Sequence, residues 1–309
     1  MLDQATRLRE MAAAYRTQVT GPRQRRTKVI AVTSGKGGVG KTNMSINLAQ
    51  ALIAAGQEVI LLDADLGLAN ADILLGTVPA YHLGHLLRGE RDILELIHRT
   101  PTNLKLIAGG SGVEELANVP EDRLRFFVAS LRKLDGQADY LILDTGAGLS
   151  HTVQEFVLAA DQVLVVTTPE PTSLADAYAT VKALAHRRPG VEIHLVVNQA
   201  ERPEEAAVAA ERIVSTARNF LGLHVHHLGT VPRDPFVWQS VRSQVPFIIG
   251  YPHAPASLAV RGMVQQLLGA RPGEPVAAAA PVPAPVRGSK VGFFDRIAGL
   301  FGRRGTNVG

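Results

Sequence analysis

Short apolar segments alternate with longer amphipathic segments through most of the 309-residue chain. Most of the apolar segments are continuous runs, which is typical of strands buried on both faces of a sheet. Seven of them predict β-strands, at residues 29–34, 58–63, 103–109, 139–144, 162–168, 192–198 and 225–231. Helical periodicity separates the strands, for example at residues 41–55, 121–134, 173–187 and 204–221. This βαβ order predicts an α/β domain at residues 29–270, with a mostly parallel twisted sheet and helices on both faces.

Segments of a different character precede and follow this domain. Residues 1–18 predict an amphipathic helix, and residues 19–28 predict a basic linker with a Gly-Pro break. Residues 271–289 hold five prolines and five alanines, a composition typical of an extended linker. Residues 290–304 predict a second amphipathic helix. Its apolar positions recur at helical spacing and are Phe293, Phe294, Ile297, Leu300 and Phe301.

The net charge of +4 conceals three differently charged regions. Residues 1–28 carry a net +5, residues 29–270 a net −5 and residues 271–309 a net +4. An acidic body argues against a protein that coats nucleic acid, and no specific nucleic acid is expected as a partner. The basic C-terminal helix suits an anionic membrane surface, which could bury its phenylalanines. Docking of this helix on the protein's own core, or on a partner, is the alternative.

The chain contains no cysteine, which excludes disulfides, iron–sulfur clusters and thiol catalysis. No apolar run approaches the roughly 20 residues that span a bilayer, and the N-terminus lacks the apolar core of a signal peptide. We therefore expect a cytoplasmic protein whose membrane contact is peripheral.

A glycine-rich segment carries the strongest chemical signal. Residues 35–42 fit G-x-x-x-x-G-K-[ST] and lie between a predicted strand and a predicted helix, the context of a phosphate-binding loop. Backbone N–H groups of such a loop surround phosphate oxygens, the lysine neutralises phosphate charge and the hydroxyl ligates Mg²⁺. The expected nucleotide contacts are Gly35, Lys36, Gly37, Gly38, Val39, Gly40, Lys41, Thr42 and the adjacent Asn43.

Aspartates follow two of the predicted strands. Asp63 and Asp65 come at the end of the second strand, and Asp144 ends the apolar run at residues 140–143. Acids at the carboxyl ends of parallel strands point into the crevice where ligands bind. Asp144 fits a Walker B element and is expected to hold Mg²⁺. Either of the first two could instead cap the next helix.

A second lysine makes the glycine-rich loop unusual. Residues 34–42 read SGKGGVGKT, which resembles the deviant Walker A motif KGGxGK[ST] of the MinD/ParA ATPases. In that family the lysine at the position of Lys36 reaches the partner's phosphates in a nucleotide-sandwiched dimer, so the resemblance implies a homodimer with ATP. It also implies Mg²⁺-dependent ATP hydrolysis with Lys36, Lys41 and Asp65 as catalytic residues, Asp65 by orienting the attacking water. Asp63 then supports the loop or the metal.

The same resemblance implies contacts with the nucleoside. Asn198 lies where the family's asparagine reads the base, and Pro232 and Asp234 lie in its second base-binding loop. Glu170 lies where relatives contact the ribose or the partner subunit.

Residues 3–9, DQATRLR, resemble the DQAxxLR motif of one branch of that family, the flagellar-number regulators known as FlhG, FleN or YlxH. The resemblance implies that Asp3, Gln4, Leu8 and Arg9 contact an FlhF-type signal-recognition GTPase and stimulate it. It also implies a protein that regulates flagellar number and placement and binds the inner face of the cell membrane when ATP-bound. Flagellar basal-body proteins and transcription factors are further candidate partners.

Two alternative functions retain ATP hydrolysis but differ in the cellular process that the protein regulates. One is a division-site MinD, against which the N-terminal extension argues. The other is a ParA-type partition ATPase, against which the acidic body and the phenylalanine-rich tail argue. An iron–sulfur carrier of the related scaffold is excluded by the lack of cysteine.

Overall fold

The computed structural model describes residues 26–65, 69–110, 120–146, 151–269 and 292–302. The predicted helix at 1–18, most of the linker at 19–28 and the linker at 271–289 lie outside these residues. So do the N-terminal partner-binding candidates, which are Asp3, Gln4, Leu8 and Arg9. Their roles stay predictions.

The described residues form one eight-stranded sheet with the order β3-β4-β2-β5-β1-β6-β7-β8. Its strands are β1 (Lys28–Thr33), β2 (Val59–Asp63), β3 (His98–Arg99), β4 (Lys105–Ile107), β5 (Tyr140–Asp144), β6 (Gln162–Thr167), β7 (Ile193–Ala200) and β8 (Val225–Pro232). Neighbouring strands are parallel, except for the antiparallel pair β3–β4. The seven predicted strands are confirmed. The pattern missed β3, because two residues are too few to show a periodicity.

Helices cover both faces of the sheet. They are α1 (Lys41–Ala54), α2 (Ala71–Leu74), α3 (Leu83–Leu87), α4 (Glu121–Leu131), α5 (His151–Ala159), α6 (Pro171–Arg187), α7 (Pro203–Leu221), α8 (Pro235–Ser243), α9 (Phe247–Gly250), α10 (Pro255–Leu267) and α11 (Phe293–Gly302). Short 3₁₀ helices span Ile93–Leu96 and Arg132–Leu134, so the last three residues of the predicted helix at 121–134 are 3₁₀.

The apolar core consists of two layers, one on each face of the sheet. Along β1, Val29 and Ala31 belong to the layer that also contains residues of α4 to α7, whereas Ile30 and Val32 belong to the layer that contains residues of α1 and α10. Successive strand residues point to opposite faces, so a strand buried on both sides must be apolar at every position. This explains the continuous apolar runs and confirms the predicted α/β fold class.

The strand order creates a crevice at the carboxyl end of β1. The chain leaves β1 through α1 to β2 on one side, while β6 and β7 lie on the other side. In open α/β sheets such a reversal of direction leaves room for a ligand between the diverging connections. Since β1, β2 and β5 are adjacent, the chemical groups that follow these strands meet at this one edge.

The C-terminal helix α11 lies against α4 and α5. Phe293, Phe294 and Ile297 are buried in the protein's own core, while Leu300 is 39% exposed. In this structure the apolar face therefore docks on the protein's own core, because α4 and α5 form a surface that shields it from water. The side chain of Phe301 lies outside the described part.

Polar contacts fix α11 in this position. The guanidinium Nε of Arg296 donates to the carbonyl oxygen of Ala159 at 2.8 Å, and its Nη2 pairs with Asp161. Asp161 also accepts the backbone N–H of Val29 at 2.9 Å, so the anchor of α11 is connected to β1.

Within the described residues, no helix combines the length and the apolar composition needed to cross a bilayer.

Candidate nucleotide site

The loop between β1 and α1 depends on glycine for two different reasons. Gly38 and Gly40 have φ angles of +77° and +93°, in the left-handed region that residues with a Cβ rarely adopt. Gly35 instead lies against α6, where a Cβ would come within 2.2 Å of the carbonyl oxygen of Asp176. The loop therefore has the wound backbone of a phosphate-binding loop and is held close to α6.

Helix α1 begins at Lys41 with its positive end open. No side chain caps its first turn, and that turn holds no acidic residue. Unpaired N–H groups and the helix dipole at such an end favour an anion. Lys41 itself is 8% exposed; burial lowers the pKa of its ammonium group, against the charges of Asp144 and Asp65. The predicted contacts Thr42 and Asn43 follow in the first turn.

Two buried carboxylates face each other across neighbouring strands. Asp63 of β2 and Asp144 of β5 are register partners, and each is 1% exposed. Burial, and then the charge of Asp144, raise the pKa of Asp63 to about 8. Burial also raises the pKa of Asp144 to about 6, opposed by hydrogen bonds from Thr42 and Ser45. Two buried acids beside a hydroxyl are hard oxygen donors, so these residues fit Mg²⁺.

Asp63 also organises the loop that follows β2. One of its oxygens accepts the backbone N–H of Asp65 at 3.1 Å, and the other accepts those of Asn70 and Ala71, both at 3.1 Å. Three backbone hydrogen bonds tie the carboxylate to the loop. These contacts favour loop support as the role of Asp63, and metal ligation by this residue stays a prediction.

The catalytic candidate Asp65 lies at the same edge of the sheet. A Cβ on Gly146, just beyond β5, would come 3.1 Å from the Asp65 carboxyl carbon, so the two loops are in contact here. The charge of Asp65 also acts on Lys41 and Asp144. The structure thus brings Asp65 beside the phosphate loop, as the sequence predicted. Residues 66–68 and 147–150 of these two loops lie outside the described ranges.

The second loop lysine, Lys36, pairs with a residue of its own chain. Its Nζ lies 2.9 Å from Oε2 of Glu170 and 3.1 Å from Oγ1 of Thr172. Both partners in the ion pair are substantially exposed, at 41% and 66%. The structure therefore joins Lys36, for which the resemblance implies contact with the partner's phosphates, to Glu170, for which it implies contact with the ribose or the partner subunit.

Two of the residues predicted to contact the base make hydrogen bonds within the protein. Asn198 donates from Nδ2 to the carbonyl oxygen of Val39 at 2.8 Å, so it lies against the phosphate loop. Asp234 caps α8 by accepting the N–H of Phe236 at 2.9 Å and also accepts that of Ala256 at 3.1 Å. Pro232 ends β8. Contacts of these three residues with a base stay predictions.

Sequence reasoning missed three residues of this edge. Ser45 donates to Asp144 at 2.8 Å, and its position four residues after Lys41 on one helix was the available signal. Thr172 follows Glu170 closely in sequence. Gln199 donates to the Gly38 carbonyl oxygen at 3.3 Å, and no sequence pattern indicates this contact.

A separate cavity of about 490 Å³ lies beside β8 and α7. His194 stacks on His226 with ring centroids 5.5 Å apart, and His224 meets His226 edge-on at 4.4 Å. Among the residues that the structure describes, no three His, Cys, Asp or Glu side chains are grouped to hold a metal ion. The structure assigns no chemistry to this cavity.

Comparison with known proteins agrees with this site. The AAA domain family matches residues 27–192, more than half of the chain. The antiactivator FleN of Pseudomonas aeruginosa is 34% identical over 270 residues, which cover 87% of this chain and 93% of that protein. The flagellum site-determining protein YlxH of Helicobacter pylori is 37% identical, over 79% of this chain and 83% of that protein.

A solved structure shows the same fold. The septum site-determining protein MinD of Pyrococcus horikoshii OT3, in complex with Mg-ADP, superposes with a TM-score of 0.67 at 25% identity. The match covers 78% of this chain and 96% of that one. With the deviant phosphate loop in its expected place, these similarities show that the chain belongs to the AAA domain family and, within it, to the MinD/ParA ATPases that include FleN and YlxH.

Proposed function

We propose that this protein is a Mg²⁺-dependent ATPase that regulates the number and placement of flagella. The observation that carries the ATPase is the convergence, at the carboxyl ends of β1, β2 and β5, of the phosphate loop with Lys41, Asp65 and Asp144. Binding, charge neutralisation and water orientation are the functions that phosphoryl transfer requires of a protein.

Each residue has a distinct task in this proposal. The loop N–H groups and the open end of α1 bind the phosphates, and Lys41 neutralises charge on the β- and γ-phosphates. Asp65 accepts a hydrogen bond from the attacking water and orients it. Thr42 and Asp144 would hold Mg²⁺, which would neutralise negative charge on the phosphate oxygens.

Hydrolysis is tested by an Asp65→Ala variant. We expect phosphate release to fall by about 100-fold, while binding of an ADP analogue stays within about two-fold. Asp72→Ala is the matched control, because Asp72 is an acid of α2 whose described hydrogen bond is accepted from the N–H of Ile73. Equal hydrolysis by Asp65→Ala and the wild type would remove Asp65 from its role.

The proposed role in regulating flagella is based on similarity to two relatives. FleN is named an antiactivator and YlxH a flagellum site-determining protein, and both match this chain over most of its length. Deletion of the gene is expected to change the number of flagella per cell, counted by electron microscopy, and the wild-type gene should restore it. Normal flagella with displaced division septa would contradict the proposal and favour a division-site regulator.

ATP-dependent homodimerisation is the next part of the proposal. Lys36 would exchange its ion pair with Glu170 for the phosphates held by the partner subunit. An exposed ion pair contributes only about 0–1 kcal/mol, so this exchange is energetically small. A Lys36→Ala variant should remain monomeric in ATP by light scattering, whereas wild-type protein should dimerise.

Membrane attachment requires the release of α11 from the body. While Phe293, Phe294 and Ile297 are buried against the body, they are not available to lipid. Exposing three such side chains to water costs on the order of 5 kcal/mol, a cost that insertion into a bilayer surface would offset. We infer that α11 alternates between the body and the membrane, and that dimerisation favours the membrane by doubling the number of helices.

This alternation is tested by an Asp161→Asn variant. The change removes the charge that anchors Arg296 but leaves the sequence of α11 intact. We expect the variant to sediment with anionic vesicles even without ATP, whereas the wild type should need ATP. Asp135→Asn is the matched control, because Asp135 accepts the N–H of Thr27 near β1 but makes no ion pair with α11 in the described contacts. Equal sedimentation of Asp161→Asn and the wild type would contradict the release.

Stimulation of an FlhF-type GTPase by the N-terminal segment completes the proposal. Its basis is the motif at residues 3–9, which lies outside the described residues. A peptide of residues 1–20 should accelerate GTP turnover by that GTPase, and a Gln4→Ala peptide should not. Equal stimulation by the two peptides would exclude Gln4 from the contact.

A further inference from the structure

The end of β7 contains a bulge with an unusual backbone. The register between β7 and β8 shifts between Val197 and Ala200. Within the shift, Gln199 has a φ angle of +58°, in the left-handed region, which costs a residue with a Cβ about 1 kcal/mol or more. Bulges re-aim side chains, and a strained one persists where the surrounding structure holds it.

The two amides of this bulge bind consecutive carbonyl groups of the phosphate loop. Asn198 donates from Nδ2 to the carbonyl oxygen of Val39 at 2.8 Å. Gln199 donates from Nε2 to the carbonyl oxygen of Gly38 at 3.3 Å. Asn198 also lies so close to Gly40 that a Cβ there would come within 2.5 Å of its Nδ2. The bulge thus contacts the three residues that wind the loop.

Because the peptide group is planar, these two contacts determine the direction of the neighbouring N–H groups. In a planar trans peptide the carbonyl oxygen and the following N–H point in opposite directions. Holding the carbonyl groups of Gly38 and Val39 toward β7 therefore directs the N–H groups of Val39 and Gly40 to the other side of the loop. Because Gly38 and Gly40 lack a Cβ, their flanking peptides could otherwise rotate with little steric resistance.

We propose that Gln199 is a positioning residue for nucleotide binding, which acts by holding the Gly38–Val39 peptide so that its N–H faces the phosphates. The inference rests on the proposed function of the loop as an ATP site. Gln199 touches the loop and not the reacting atoms, so its effect falls on affinity. Loss of its side chain should weaken ADP and ATP binding alike, by about 3- to 10-fold, and leave turnover at saturating ATP within about two-fold.

The test is a Gln199→Gly variant. Glycine accepts the left-handed backbone without strain, so the change removes the amide and leaves the bulge allowed. Gln244→Gly is the matched control. Gln244 also has a left-handed φ of +54° and donates its Nε2 to a backbone carbonyl, that of Ile73 at 2.9 Å, but it does not contact the loop in the described hydrogen bonds.

Three measurements on the full-length protein distinguish positioning from a merely structural role. Calorimetry with Mg-ADP should give a 3- to 10-fold higher Kd for Gln199→Gly and an unchanged Kd for Gln244→Gly. Hydrogen exchange of ligand-free protein should show faster exchange at Val39 and Gly40 in the first variant alone. A thermal melt records any general loss of stability in both.

The outcomes separate the inference from the proposed function. A lowered Tm with an unchanged Kd in Gln199→Gly overturns the positioning role, and so does an equal rise of Kd in both variants. Wild-type protein that binds neither ADP nor ATP overturns the proposed function and this inference together. Wild-type binding with an unaffected Gln199→Gly variant overturns the inference alone.

Discussion

The two ends of the central sheet both carry carboxylates, but their surroundings shift the pKa values in opposite directions. At the carboxyl ends of β2 and β5, burial raises the pKa of Asp63 to about 8 and that of Asp144 to about 6. At the amino end of β7, hydrogen bonding to His194, and to Gln162, lowers the pKa of Glu192 to about 2. The same functional group therefore has different electrostatic properties at the two ends.

The difference shows how one sheet separates ligand binding from internal docking. The carboxyl end places two buried acids beside an open helix end, so the acids would favour a cation and the helix end would favour a phosphate. The amino end satisfies its acids with the protein's own donors: Asp161 there holds Arg296 of α11 and the N–H of Val29. The groups proposed to bind nucleotide at the first end are polar, whereas α11 docks at the second end through its buried apolar face together with the contact of Arg296 with Asp161.

The largest effect is expected at the carboxyl end. Lys41→Ala removes the cation that lies buried beside Asp144, and ATP hydrolysis should fall by about 100-fold or more, because a preorganised charge at the phosphates is lost. Phosphate release under saturating Mg-ATP measures it. Lys133→Ala is the control, since Lys133 forms an exposed ion pair with Asp92. Similar activities of the two variants would remove the phosphate loop from catalysis.

The next effect is expected in the docked helix. Ile297 is 0% exposed, so Ile297→Ala should lower the free energy of opening of α11 by about 2–4 kcal/mol. Leu300, at 39% exposed, is the matched control, and Leu300→Ala should cost less than about 1 kcal/mol. Native-state hydrogen exchange of residues 293–302 measures both. Equal effects would mean that α11 is not held by its buried face.

A third effect separates close packing from backbone conformation within the phosphate loop. A Cβ at Gly35 would meet the carbonyl oxygen of Asp176 at 2.2 Å, so Gly35→Ala must displace the loop and should cost about 1–3 kcal/mol in the free energy of unfolding. Gly38 has open space around it but a φ of +77°, so Gly38→Ala should cost about 1 kcal/mol. Urea denaturation compares them. A Gly35→Ala variant of wild-type stability would contradict the close approach to α6.

The smallest effect is expected from the amino-end carboxylate. Because the folded pKa of Glu192 lies below its ordinary value of 4.5, its contribution to stability is present above about pH 4.5 and is lost as the pH falls toward 2. The unfolding free energies of the wild type and of Glu192→Gln should differ by less than about 1 kcal/mol at pH 6, and the difference should be smaller at pH 3. Chemical denaturation at both pH values measures this. A difference that grows on acidification would reverse the assigned direction.

Much of the candidate nucleotide site, at the carboxyl ends of β1, β2 and β5, could be predicted from the sequence because its residues directly follow strands. Asp63 and Asp144 end apolar runs, and parallel strands place such ends together. Gln199 could not be predicted, because a bulge in β7 aims it and no local pattern marks that bulge. The pairing of Lys36 with Glu170 likewise depends on the position of α6 relative to the loop.

The C-terminal helix shows the other limit. Its apolar face is periodic and was predicted at residues 290–304, and the helix spans Phe293–Gly302. The same periodicity is compatible with a bilayer surface and with a protein core, because apolar burial has no preferred direction. The surface of α4 and α5 that buries Phe293 and Phe294 exists only once the chain has folded.

By itself, the sequence determined the alternation of strands and helices, the phosphate loop and the acids that accompany it. These features depend on side-chain periodicity and on groups adjacent to one strand end, which are local properties of the chain. The tertiary structure decided which residues meet across elements: Lys36 with Glu170, Gln199 with Gly38, and α11 with the body. Those contacts join residues distant in sequence, and their geometry is set by how the helices pack on the sheet.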